Sequence, residues 1–127
     1  MRILLDTSVL IWIATDEARL SAAAVAAYRD RSNTAFVSVV SLWEMLVKHR
    51  LGKLPLPAPI ADLLRPMRTH GVSTIALNES AVLRLSSLPD IHRDPFDRML
   101  ICQALDEGLT IVTPDQLMKS YPVASMW

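Results

Sequence analysis

The chain has a single cysteine, Cys102, so no internal disulfide braces it, and a reducing cytoplasm is the expected compartment. It has no apolar run approaching the roughly 20 residues of a membrane-spanning helix, so no membrane association is expected. The N-terminus has too few basic residues, and meets acid too soon at Asp6, for a signal peptide. Net charge is also lacking: 13 Lys and Arg balance 13 Asp and Glu. Any phosphate-bearing partner would therefore need a local basic patch or a bound cation. His49, His70 and His92 show no paired spacing, and with one cysteine this leaves too few ligands for zinc. No Ser-His-Asp or Cys-His grouping has a supporting spacing, so no covalent nucleophile is expected. There is no internal repeat and no low-complexity tract.

What remains is a chain of 127 residues, 51% hydrophobic and 20% charged. That composition is globular, and the length fits one domain, 1–127, with a continuous core. Arg2–Leu5, Ala35–Val37, Val72–Leu77 and Leu109–Thr113 read as short strands, and Val123 as the start of an edge strand. Helices are expected over Thr7–Ala14, over Ser21–Arg31 with Ser21 as N-cap, and from Ser38 or Ser41 to about Arg50. Further helices are expected over Ile60–His70, starting late or kinked around Pro66, over Glu79–Leu88 and over Pro95–Glu107, with a helical turn from Pro114. Gly52, Gly71 and Gly108 close helices, and "LPLPAP" at 54–59 is a stiff connector. Strands alternating with helices predict an α/β fold with a parallel sheet covered on both faces. Ligands of such sheets sit beyond the carboxyl ends of the strands.

Acids collect at that edge. Asp6 interrupts the apolar "LLDTSVL" at the end of the first strand, where an unpaired charge is costly to bury. A helix cap by Asp6, Thr7 or Ser8 is the plain alternative. Asp115 follows the fourth strand, and its local alternative is a first-turn acid behind Thr113 as N-cap and Pro114 at N1. Thr113 is also placed to orient a water. Asp97 opens the stripe Asp97, Leu100, Ile101, Ala104, Leu105, the face a helix turns toward its sheet. Asp94, before Pro95, reads first as the N-cap of that helix and second as a member of the site. Glu44 shares a helix side with Val40 and Val47, against the alternatives of a Ser41-x-x-Glu44 capping box or an exposed pair with Lys48. Four acids converging on one edge raise one another's pKa unless a cation neutralises them, and hard carboxylate oxygens suit Mg²⁺ or Mn²⁺. Asp6 and Asp97 are the expected metal ligands, with Glu44 and Asp115 binding a second ion or holding waters of the first.

"ILLDTS", "SLWE", "HRDPFDRMLICQA" at 92–104 and "TIVTPD" at 110–115 resemble the PIN-domain ribonucleases, above all the VapC-type toxins of toxin–antitoxin pairs. The likeness spans nearly the whole chain in the right order, and "DPFDRMLI" is its most specific segment. The resemblance implies a compact α/β/α sandwich and catalytic acids at Asp6, Glu44, Asp97 and Asp115. It selects Asp97 over Asp94, in agreement with the stripe. It also implies Mg²⁺-dependent hydrolysis of RNA, an antitoxin that blocks the acidic site, and a homodimer. Trp12, Trp43, Trp127 and the Leu54–Pro59 connector are candidate antitoxin contacts, with core packing the commoner fate of Trp12 and Trp43. Lys48, His49, Arg50, Lys53, His92, Arg93 and Arg98 are candidates to grip RNA phosphates.

Rival readings fit less well. A receiver domain wants a phosphoacceptor Asp after the third strand, where Asn78 stands, and a haloacid-dehalogenase-type phosphatase wants Asp-x-Asp where Asp6-Thr7-Ser8 stands. A PIN-like module that binds RNA or protein without catalysis would show missing acids, and none is missing.

Overall fold

The computed structural model describes residues 1–127. Five short strands, β1 (Arg2–Leu5), β2 (Thr34–Ser38), β3 (Ser73–Ile75), β4 (Thr110–Val112) and β5 (Ser125–Met126), form one parallel sheet in the order β3-β2-β1-β4-β5. Seven helices accompany it: α1 (Thr7–Thr15), α2 (Ala22–Arg29), α3 (Val39–Arg50), α4 (Ile60–Thr69), α5 (Glu79–Leu83), α6 (Pro95–Glu107) and α7 (Gln116–Lys119). None is long and apolar enough to cross a membrane.

The centre of the sheet belongs to β1, whose Ile3, Leu4 and Leu5 are all fully buried. A continuous apolar run is what a strand covered on both faces requires. Because side chains alternate along a strand, the run feeds two cores. Ile3 and Leu5 pack with Val9 and Leu10 of α1, Ala24 of α2 and Leu64 and Met67 of α4. Leu4 packs on the other side with Leu100, Ile101 and Ala104 of α6 and Ile111 of β4. The result is the expected α/β/α sandwich. Each of the Val, Leu, Ile and Met side chains among these contributes about 1.5–3 kcal/mol by leaving water.

Two local features aim the chain at the site. The register Leu5↔Val112 sets the ends of β1 and β4 level, so Asp6 and Thr113 emerge side by side. The Asp6 N–H continues the pairing to the Val112 carbonyl at 3.1 Å. Gly108 ends α6 in the left-handed region at φ 66°, which glycine adopts without a Cβ penalty and which turns the chain straight into β4.

Several boundaries differ from expectation. The helix from Glu79 stops at Leu83 and tightens to a 3-10 turn over Arg84–Ser87. The Ser86 and Ser87 hydroxyls bond back to the Leu83 and Arg84 carbonyls there, competing with the helical ladder. The last strand starts at Ser125 rather than Val123, because the Val123 N–H is spent in a tight turn on the Tyr121 carbonyl at 2.8 Å. In α4 the helix begins at Ile60 and runs through Pro66. Pro66 and the Asp62 carbonyl it orphans both lie on the exposed face, where water satisfies the loss.

Candidate active site

Asp6 occupies the N-cap position of α1 with extended backbone, yet its side chain caps nothing. Its Oδ2 instead accepts from the Thr113 hydroxyl at 2.7 Å and the Ser8 hydroxyl at 3.2 Å. Thr7 and Ser8 are not caps either. The Thr7 hydroxyl donates to Glu44 Oε1 at 2.8 Å and lies 2.8 Å from Ser41 Oγ. Polar side chains at the start of α1 thus turn inward, onto two acids.

Glu44 reaches the same place from α3. The cap of that helix is Ser38, whose hydroxyl accepts from the Val40 N–H, so the Ser41-x-x-Glu44 capping box does not form. The expected burial of Glu44 is present, at 4% exposure, and its Oε2 accepts from Lys48 one turn on. Lys48 Nζ lies 3.7 Å from Asp94 Oδ2 as well.

Two more acids arrive from α6 and from the turn before α7. Asp94 is the N-cap of α6: its Oδ1 accepts from the N–H groups of Phe96 at 2.8 Å and Asp97 at 3.2 Å. Asp97 heads the buried stripe of that helix, with its side chain only 15% exposed. Asp115 is itself the N-cap of α7, accepting from Leu117 and Met118 through Oδ1, so the local alternative of a first-turn acid behind a Thr113 cap does not form. The reason is that the Thr113 hydroxyl, wholly buried, is turned to Asp6 and receives the Asp115 N–H at 3.0 Å.

A histidine ties the last two acids together. His92 Nε2 hydrogen-bonds Asp115 Oδ2 at 2.9 Å and lies 3.0 Å from Asp97 Oδ2. Its Nδ1 accepts the Asp94 N–H at 3.1 Å, which places the ring proton on Nε2.

The electrostatics follow from this crowding. Burial raises the pKa of Asp6, and the charge of Glu44 adds to it, against the hydrogen bonds from the Thr113 hydroxyl, the Thr7 N–H and the Ser8 hydroxyl. Burial, then the charges of Asp6, Asp94 and Glu44, push Asp97 up to about 7, with His92 opposing. Asp115 is held low: burial works against it, but the hydrogen bonds from His92, Leu117 and Met118 outweigh burial. Burial also opposes the charge on Lys48 and on His92, yet hydrogen bonds and neighbouring carboxylates leave both raised.

Asp6, Thr7, Ser8, Glu44, Lys48, Asp97, Pro114 and Asp115 line one cleft of about 340 Å³ at the carboxyl edge of the sheet. The donor set fits a hard divalent cation. Asp97 is shared by two groups of three possible ligands, one with His92 and Asp115 and one with Glu44 and Asp94. Asp6 belongs to neither group and faces Asp97 from β1. Asp115 and Glu44 have both oxygens engaged, and Asp94 has one on its cap and one toward Lys48. Asp6 and Asp97 have their side-chain partners gathered on Oδ2, Thr113 and Ser8 on the one and His92 on the other, which leaves Oδ1 of each turned to neither a side chain nor a helix cap.

Other expectations are corrected. Lys48 and His92 face the acids rather than an outer phosphate surface, and Arg98 is spent on the Pro89 carbonyl at 2.9 Å and on Tyr121. Trp43 is not core: it is 59% exposed, edge-on to Phe96 at 4.9 Å, while half-buried Trp12 packs against Trp127 at 6.0 Å. The roles of His92 and Tyr121 were invisible in sequence because no local pattern pairs them with the acids.

Comparison with known proteins agrees with this fold. The PIN domain model matches residues 3–123. Ribonuclease VapC22 of Mycobacterium tuberculosis is 28% identical over 120 residues, 94% of this chain and 91% of that protein. Among solved structures, VapBC2 from Rickettsia felis bound to a promoter DNA fragment superposes with a TM-score of 0.74 at 16% identity, covering 99% of this chain and 98% of that one. DNA-bound VapBC from Salmonella typhimurium follows with a TM-score of 0.68 at 16% identity, covering 99% and 97%. The PIN domain match spans nearly the whole chain, and with the VapC22 relative covered almost end to end the chain belongs to the PIN-domain family.

Proposed function

We propose that this protein is a Mg²⁺-dependent ribonuclease and the toxin of a toxin–antitoxin pair, with Mn²⁺ able to substitute. One observation carries the reading: Asp6, Glu44, Asp97 and Asp115, brought from four separate parts of the chain, line one cleft, and Asp97, raised to about 7 by burial and by the charges of Asp6, Asp94 and Glu44, is shared by both groups of possible cation ligands. Asp6 and Asp97 would hold the cation through the oxygens that Thr113, Ser8 and His92 leave unused. When bound, the cation supplies a lowered pKa for water and charge stabilisation on the phosphoryl oxygens. Glu44 and Asp115 act beside it, ordering waters through carboxylates that Thr7, Lys48 and His92 hold in place. Thr113 and Ser8 keep Asp6 oriented. RNA as substrate and an antitoxin as partner are supported by the ribonuclease name of the VapC22 relative and by the VapBC complexes that share the fold. A homodimer working in the cytoplasm as one domain completes the proposal. The full set of acids counts against an inactive binding module.

The test is a cleavage assay on purified protein with Mg²⁺ or Mn²⁺ and with EDTA. Cleavage should require the cation, and Asp6→Asn should abolish it while the protein stays folded. Full activity in thoroughly chelated buffer would overturn the mechanism. Sequencing RNA 5′ ends after brief expression would then name the target.

A further inference from the structure

The segment between the 3-10 turn and α6 has no regular structure, yet it is pinned around His92. The Tyr121 hydroxyl oxygen receives the His92 N–H at 2.7 Å and the Ile91 N–H at 3.1 Å. Arg98 Nη1 donates to the Pro89 carbonyl at 2.9 Å, and lies 3.4 Å from the His92 carbonyl and 3.2 Å from Tyr121 Oη. The imidazole is oriented separately, by the Asp94 N–H on Nδ1. A ring held at both backbone and side chain presents a fixed N–H donor.

We infer that His92, anchored by Tyr121, is a positioning residue of the cation site: it holds Asp97 and Asp115 in register so that Asp97 keeps Oδ1 open to the cleft. Asp97 comes from α6 and Asp115 from the turn after β4, and no other side chain bridges them. No other cationic group lies within ion-pair distance of the Asp97 carboxylate, since Lys48 is paired with Glu44 and Asp94 and acts on Asp97 only from farther off, so without His92 the carboxylate is free to change rotamer and swing from a like-charged neighbour. The inference rests on the divalent-cation reading of the cleft. Partners of this kind, one step removed from the ion, typically change metal affinity by about 10–100-fold.

Mn²⁺ binding measured by titration calorimetry tests this without any cleavage, at about pH 8, above the ordinary histidine range. His92→Ala should weaken binding by about tenfold or more. His92→Gln, which returns an N–H donor near the Nε2 position, should recover most of the loss. Tyr121→Phe should weaken binding by a smaller factor and add nothing on the His92→Ala background, because it acts through His92. Binding by His92→Ala as tight as wild type, or tighter, would show that the ring merely fills the cation's place and would overturn the inference. So would a Tyr121→Phe effect that persists in full without His92. If His92→Ala does not fold, Tyr121→Phe alone decides, since unchanged affinity overturns the inference. A wild type that binds no Mn²⁺ overturns the cation reading itself; wild-type binding with unchanged variants overturns only the role of His92.

Discussion

The Thr113 hydroxyl donates to Asp6 Oδ2 at 2.7 Å, joining residues 107 positions apart that follow the neighbouring strands β4 and β1. Asp6 is 4% exposed, and this bond favours its charged form against the cost of burial. Thr113→Val keeps the shape and removes the donor. It should lower stability by about 1.5–3 kcal/mol, the range for a hydrogen bond to a charged group, and reduce cleavage, whereas Thr113→Ser should stay near wild type in both. Thermal melts and the cleavage assay read the two effects. Equal behaviour of the Val and Ser variants would show that the hydroxyl does nothing for Asp6.

Asp94 and Asp97 separate by their partners. Asp94→Ala removes the α6 cap and should cost about 1 kcal/mol, while Asp94→Ser caps as well as aspartate and should retain much of the activity. Asp97→Asn should abolish cleavage without lowering the melting temperature. The reverse ranking in a nuclease assay would make Asp94 the essential acid of the pair.

Apo stability should depend on pH through Asp97. Its folded value near 7 lies above its ordinary 3.8, so the folded state holds a proton that the unfolded chain has released. The penalty is absent below the ordinary value, grows as pH rises between the two, and is complete above about 7. Asp97→Asn should therefore melt higher than wild type in EDTA at neutral pH, with the gap closing toward pH 4 (roughly the free carboxyl value). Cation binding to the folded state stabilises wild type by about 2.7 kcal/mol at a hundredfold excess over Kd, and this gain should shrink in Asp97→Asn. Surface variants Asp30→Asn and Glu107→Gln should leave the cation response intact. An unchanged response in Asp97→Asn with a lowered apo melting temperature would make Asp97 a purely structural first-turn acid.

Lys48 holds the position of counter-charge to buried Glu44. Lys48→Met strands that carboxylate, so the apo melting temperature should fall, and Mg²⁺ should restore more stability than it adds to wild type. Glu44→Gln in the same chain should remove both effects. Calorimetric melts with and without cation decide; an identical Mg²⁺ gain in all three proteins refutes the idea.

Much of this protein is legible along the chain. The apolar Ile3–Leu5 run, the stripe from Asp97 to Leu105 and the Asp94-Pro95 start of α6 are patterns of two, three or four residues, set by strand and helix periodicity. They determine the α/β alternation, and the parallel sheet then brings the acids after β1 and β4 to one edge. Partnership was not legible. Whether Thr113 caps a helix or turns to Asp6, whether the Glu44 of the Glu44–Lys48 pair is exposed or buried, whether His92 meets solvent or carboxylates, and whether Trp43 is covered all depend on groups distant in sequence. A polar side chain has several acceptable partners in its own turn, each within about 1 kcal/mol of the others. Only packing, by choosing which of them is buried beside which, selects one.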